Sequence, residues 1–190
     1  MITQVVLFDG FDPLDAIAPF EVLTAAGLPV TLVAAEGART VPSGTNGISL
    51  TALDPGPADL VIVPGAAGTV EEVPAILTAA LNTPLPKMLN SAFSGTVATV
   101  CGGSLLLAMA GLITGRTATT HHLGMDAMAA CGVTAIDTRV VDDGNLITAG
   151  GITSGLDLGL YLVERFVSPQ AAIEVGKFFE HERRGTVWAA

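Results

Sequence analysis

The chain carries no charged side chain between Lys87 and Arg116, and the middle of that interval reads "GTVATVCGGSLLLAMAGLITG", residues 95–115. Such a run folds either as a membrane span or as core elements buried on every side. A spanning helix needs about 20 consecutive apolar residues. Here Gly95, Gly102, Gly103, Gly111 and Gly115, together with Thr96, Thr99 and Ser104, interrupt it. The pattern also changes midway. "TVATV" is short and β-branched, as a buried strand is, whereas "SLLLAMAG" is rich in helix formers and closes on a glycine. The reading is strand, tight turn, helix, with Cys101 at the turn.

The same alternation recurs along the chain. "ITQVVLF" is a first strand. "DPLDAIAPFEVLTAAG" is helical, with Asp12 a plausible N-cap and Gly27 the stop. Pro19 falls inside it, so the helix is expected to begin near Pro19, after a turn-like lead-in over residues 12–18. "PVTLVAA" and "ADLVIVPG" are further strands, and residues 37–57 suit a hairpin with "TNG" as its turn. Helical material runs to about residue 94, broken by "NTPLP". "RTATTHH" is short and extended, and "LGMDAMAACG" is a helix. "RVVDDGNLITAG" is two strands joined at Asp143-Gly144. Residues 154–166 and 169–182 are two last helices. Strands alternating with helices predict an α/β fold, a flavodoxin-like three-layer sandwich with a mostly parallel central sheet. One domain over residues 1–190 is the expected organisation, since no linker or repeat divides it.

Composition narrows the function. Half of the residues are apolar, only 14% are charged, and the net charge is −10. So acidic a chain repels nucleic acid and anionic membrane surfaces, and neither is expected as a partner. The first residues, "MITQVVLFDG", lack a basic stretch and reach an acid at Asp9, so no export signal is expected. Two cysteines, Cys101 and Cys131, make no disulfide framework. A cytoplasmic protein with free thiols is the expectation.

Open parallel sheets bind ligands beyond the carboxyl ends of their strands. Asp9–Asp15, "PGAAG" at 64–68 and "VCGG" at 100–103 all follow strands, and "TTHH" follows a short extended run. A strand-to-helix turn flanked by small residues lifts its central side chain into the open, the logic of a nucleophile elbow. The following helix N-terminus is expected to lower the Cys101 thiol pKa, and its free N–H groups can bind an oxyanion. Cys131, on an apolar helix end, reads as structural. His121 and His122 are adjacent on an extended run and are expected to face opposite sides. With no ligand cluster around them, neither a metal nor a cofactor is expected. "PGAAG" lacks the Lys-Ser/Thr of a phosphate loop.

With these residues in place, the chain resembles the ThiJ/PfpI family of the class I glutamine amidotransferase-like superfamily over almost its whole length. "LFDGFDPLDAIAPFEVL", "ADLVIVPGAAG", "VATVCGGSLLLAMAGLITGRTATTHH" and "RVVDDGNLITAGGITSGLDLGLYLVE" carry the resemblance. Within the family, the opening motif and "GRTATTH" are most similar to isonitrile hydratases and to the ligand-sensing domains of AraC-type regulators. Ala190 follows too soon after the last predicted helix for a helix-turn-helix domain. The resemblance implies Cys101 as nucleophile, Asp15 as the acid approaching it, and His121 as a polar neighbour. It assigns the backbone N–H groups of Ala66 and Gly102 to an oxyanion hole. Ala66, Gly102 and His122 depart from the family's usual "PGG", "CTG" and aromatic residue. Set against a thiolate, the Asp15 carboxyl is expected to stay protonated.

The implied activity is a lyase reaction, hydration of isonitriles to N-substituted formamides. A glyoxalase or deglycase acting on small carbonyls, and a non-catalytic redox or small-molecule sensor, remain open beside it. A small-molecule substrate and a homodimer are the partners the resemblance implies.

Overall fold

A computed structural model describes residues 1–189. A seven-stranded sheet forms its centre, in the order β11 (Val187–Ala189), β9 (Val140–Asp143), β10 (Leu146–Ala149), β6 (Thr96–Val100), β5 (Leu60–Val63), β1 (Thr3–Leu7), β2 (Val30–Ala34). Every neighbouring pair is parallel except β9 with β10, the hairpin turned at Asp143-Gly144. β1, β5 and β10 are buried along their full length. That follows from helices covering both faces of the sheet, which turns strands into unbroken apolar runs.

α1 (Pro13–Ala25), α6 (Ser154–Phe166) and α7 (Pro169–Phe178) pack together on one side. α2 (Val73–Leu81), α3 (Leu85–Ala92), α4 (Gly103–Met109) and α5 (Met125–Ala130) form a second group. The expected three-layer α/β sandwich is therefore the fold. The uncharged interval forms most of α3, then β6 and α4, and no described helix is long and apolar enough to cross a membrane. The 37–57 excursion is the hairpin of β3 (Arg39–Pro42) and β4 (Ser49–Ala52). It lies over the loop after β1, where Gly10 N–H donates to Pro42 O and Gly44 N–H to Phe11 O.

Four details differ from the sequence reading. α1 is continuous through Pro19, with no lead-in; Asp12 caps it by accepting from the N–H groups of Leu14 and Asp15. The ring is tolerated because tertiary packing holds this turn: α6 approaches so closely that a Cβ on Gly155 would lie 3.1 Å from Ala18 Cβ and 3.2 Å from Pro19 Cδ. α7 stops at Phe178, with Glu180 at a φ of 51°. Two strands had no legible signal. β11 is three residues long, and β8 (Thr134–Ala135) is a two-residue partner of β7 (Thr117–Ala118). Elements this short carry too few side chains to show a period.

From β1 the chain passes to β2 on one side and then returns to β5 on the other. The crevice between the ends of β1 and β5 is thus a topological switch point, where open α/β sheets bind ligands.

The α1–α6 contact depends on a missing side chain. A Cβ on Gly159 would lie 2.7 Å from Val22 Cβ, a rigid branch point rather than a movable tip. Gly159→Val should therefore destabilise the protein by about 1–3 kcal/mol through overpacking. Adding Val22→Ala should restore part of that loss. Thermal melts of the two variants and their combination measure both effects.

Candidate functional site

Three chain segments meet at the switch point. The first is the elbow after β6. Cys101 has a φ of 55°, a conformation rare for any residue but glycine. The strain is held by backbone bonds on both sides. Cys101 N–H donates to Ala149 O at 3.0 Å and Gly150 O at 2.9 Å. Its carbonyl accepts from Thr120 Oγ1 at 2.8 Å. Ser104 Oγ lies below, 2.6 Å from Thr119 O and 3.3 Å from Cys101 O. A sharp strand-to-helix turn so over-determined keeps its side chain in one place.

The second segment is the loop after β5. Gly65 lies against the elbow: a Cβ there would be 2.6 Å from Gly102 N, 2.8 Å from Asp15 Oδ2 and 3.1 Å from Cys101 Cβ. Gly103 meets the same constraint from the other side, 2.3 Å from Val63 O. Both positions demand glycine because backbone passes against backbone there. Ala66 lies beside Phe11 in an antiparallel bridge, flanked by Asp12 N–H to Gly65 O and Ala67 N–H to Gly10 O. Ala66 N faces Gly102, 3.9 Å from where a Cβ on Gly102 would stand. That Cβ would meet only ordinary contacts, with Gly65 Cα at 3.7 Å and Leu77 Cδ1 at 3.8 Å, so a small side chain would fit at position 102.

The third segment is the first turn of α1, which brings in Asp15. Its side chain is fully buried. Oδ2 accepts from Gly65 N–H at 2.9 Å, while Oδ1 is buried with no hydrogen-bond partner. Desolvation pushes the Asp15 carboxyl up to about 8, with the charge of Asp12 adding to the rise; the Gly65 N–H and the Cys101 thiol oppose it. The Asp15 carboxyl is thus held toward its protonated form, with burial and not the thiol as the chief cause. The thiol departs from expectation. Cys101 is only 7% exposed. Burial and then the Asp15 carboxyl push it up to about 12, against the N–H groups of Gly102 and Ile152. The Gly102 N–H at the start of the seven-residue α4 lowers it, but desolvation outweighs that contribution.

His121 is half-buried and packs on the turn after β10: a Cβ on Gly151 would lie 2.7 Å from its Cδ2. Its Nδ1 accepts from Leu123 N–H at 3.3 Å. Burial and then His122 push its pKa down. The two histidine rings do not face opposite sides; their centroids are 4.3 Å apart. The chain turns into a 3₁₀ helix at His122–Gly124, which ends the extended alternation. Cys131 is half-buried and caps the end of α5. Asp9, the remaining acid of the first loop, pairs with Arg39 at 2.6 Å. Among the described residues no group of three or more His, Cys, Asp or Glu could hold a metal ion.

Sequence reasoning missed Gly65, Thr120 and Ser104. Gly65 had one signal, its place after Pro64 at the end of an apolar strand. Thr120 lies within the "TTHH" run, but its role, like that of Ser104, depends on a hydroxyl contact that the run does not show.

A family model described as the DJ-1/PfpI family matches residues 3–165, which include both Asp15 and Cys101. The chain belongs to the DJ-1/PfpI family. It is 35% identical over 171 residues to an isonitrile hydratase of Pseudomonas putida, covering 87% of this chain and 72% of that one. It is 28% identical over 181 residues to a Parkinson disease protein 7 homolog of Danio rerio, covering 90% and 92%. The fold superposes on the crystal structure of Drosophila melanogaster DJ-1beta with a TM-score of 0.82 at 23% identity, covering 96% of this chain and all of that one.

The buried acid has a consequence for stability. Asp15 ionises near 3.8 when unfolded but keeps its proton to about 8 when folded. Between those values the folded state binds the extra proton, so rising pH favours unfolding through this group. Asp15→Asn removes the contribution. Urea unfolding should show the variant gaining stability relative to wild type as pH rises from 5 to 8. A constant difference would mean that Asp15 ionises normally in the folded protein.

Proposed function

We propose that this DJ-1/PfpI protein is an isonitrile hydratase with Cys101 as nucleophile and Asp15 as general acid and base. One observation carries the proposal: a fully buried acid, protonated to about 8, with one oxygen unpartnered, beside a cysteine on a strained elbow. The similarity to the Pseudomonas putida enzyme supports the choice of substrate class.

Two coupled groups share their protons as a pair. When the pair holds one proton, the productive arrangement places it on Asp15 and leaves sulfur as thiolate. Sulfur attacks the terminal isocyanide carbon, forming the C–S bond, and Asp15 gives that carbon its proton. The product is a thioimidate, R–N=CH–S–Cys101, with Asp15 now a carboxylate. Asp15 then takes a proton from water as the oxygen adds to the same carbon. The N–H groups of Ala66 and Gly102 face that oxygen, and nitrogen receives the hydroxyl proton. The C–S bond breaks, releasing R–NH–CHO, thiolate and protonated Asp15. Isonitrile plus water has become formamide, and the pair is restored. His121, packed against Gly151, is assigned no proton transfer in this reaction.

Exposed apolar side chains close to the site support a homodimer. Leu14 precedes Asp15 and is 45% exposed, and Ile152 is 39% exposed. Light scattering at micromolar concentration should give twice the monomer mass; a monomer mass would remove that part of the proposal.

Purified protein should convert aliphatic isonitriles to formamides, and Cys101→Ala should abolish turnover. Asp15→Asn should lower kcat by about a hundredfold or more. It should also lower the pH at which iodoacetamide alkylates Cys101, because the acid's influence on the thiol is gone. Wild-type turnover in Asp15→Asn would exclude the acid role. Methylglyoxal consumption without isonitrile turnover would instead favour the glyoxalase reading. Selective peroxide oxidation of Cys101 with neither activity would favour a sensor.

A further inference from the structure

Gln4 places an amide inside the sheet, far from the reaction centre. It is the second residue of β1, in register with Val61 of β5, and only 5% of it is exposed. Its Oε1 is buried with no hydrogen-bond partner in the protein. Its Nε2 borders Gly56, 3.7 Å from where a Cβ on that residue would stand. A buried amide left unpaired is destabilising, whereas an apolar side chain of the same shape is nearly neutral. The fold alone therefore gives no reason for glutamine at this position.

Gln4 lines a cleft of about 300 Å³. Gln4 and Val61 form its floor. Met88, Ser91 and Ala92 of α3 make one wall, and the loop over residues 55–58, which leads into β5, makes the other. Both floor residues stand near the starts of their strands. The segments that carry Asp15 and Gly65 follow the other ends of the same two strands, so this cleft is separate from the Cys101 site. Its volume lies at the small end of the range for ligand sites.

The lining narrows the occupant. None of the lining residues is charged. The acids that flank the loop have partners of their own: Asp54 accepts from Ala38 N–H at 2.9 Å, and Asp59 from Ile2 N–H at 2.7 Å. An ion in the cleft would lie unpaired, which is costly. The Ser91 hydroxyl donates to Lys87 O at 3.2 Å and the Ser94 hydroxyl to Ser91 O at 3.0 Å, so each can only accept a further bond. Pro55 and Pro57 have no N–H to give. Gln4 supplies an acceptor and two donors side by side. The complement of this set is a neutral molecule with an N–H and a carbonyl on one edge, and a short apolar tail for Val61, Met88 and the proline rings.

We propose that the Gln4 cleft is a second small-molecule site, which binds a neutral carboxamide with a short alkyl group through hydrogen bonds to the Gln4 side chain. The site goes beyond the hydratase reading and does not rest on it.

The test is a titration of the ¹⁵N-labelled full chain with butyramide, followed by NMR. The chain has only two glutamines, Gln4 and Gln170, so Gln4→Leu assigns the Gln4 side-chain signal by removing it. In the wild type, that signal and the Gly56 N–H should shift and saturate with a dissociation constant of about a millimolar, in keeping with so small a ligand. Butyrate, of the same shape but charged, should shift neither. In Gln4→Leu the Gly56 N–H should need about tenfold more butyramide or more. Gly56→Leu fills the cleft from the loop side while leaving Gln4 in place. It should abolish the shift of the Gln4 signal, and it serves alone should Gln4→Leu not fold. Cys101→Ala should respond as the wild type does, which keeps this outcome separate from that of the hydratase reading. Absence of a saturating shift, an equal response to butyrate, or undiminished binding in either folded cleft variant overturns the proposal and leaves a hydrated gap.

Discussion

The approach of the loop after β5 to the elbow after β6 is the contact on which the rest of the site depends. It brings Gly65 N–H to the Asp15 carboxyl at 2.9 Å and leaves no space for a side chain at position 65. Through that one N–H the first turn of α1 is locked onto two separate strand ends. The remaining features follow from it. Asp15 is shut away from water, Cys101 is pressed against it, and the backbones at Ala66 and Gly102 are set side by side. A one-ångström displacement of this loop would part the Gly65 N–H from the Asp15 carboxyl.

Competition between two electrostatic effects decides the state of the thiol. A helix N-terminus behaves as roughly half a positive charge, and its influence fades within a turn. Complete burial can shift an acid by several pKa units in the opposite sense. At Cys101 burial wins, with the neighbouring carboxyl second among the causes. Burial thus favours the uncharged form of each member of the pair. In the proposed reaction one of the two protons must leave, so that sulfur attacks as thiolate while Asp15 keeps the proton for the carbon.

Function also reaches outward from the pair into ordinary structural chemistry. The elbow's strain is carried by Ala149, Gly150 and Thr120. The turn behind it is fixed by Arg139, whose partner Asp157 also binds the segment after α7 through His181 and Arg184. Residues at the far end of the chain are thus connected to the backbone of the elbow through a short series of satisfied polar groups. Buried networks of this kind are stiff because each unsatisfied member would be costly.

Much of this was legible in the order of the residues. The alternation of apolar strand and helix, the small residues around Cys101 and the Asp143-Gly144 turn each carry a local physical signal. They yield the layered fold, the elbow, the hairpin at 140–149 and the Asp12 cap. Resemblance to a family singled out Asp15 among three nearby acids; local chemistry does not. What lay beyond reach depends on contacts between distant segments. Pro19 stays helical because α6 packs against it, and β11 forms because β9 offers an edge. His121 and His122 come together because the chain leaves its extended path between them. Gly65 matters for what it touches across the sheet. The sequence by itself determined which side chains could do chemistry; only the tertiary structure decided their protonation, since burial belongs to a neighbourhood and not to a residue.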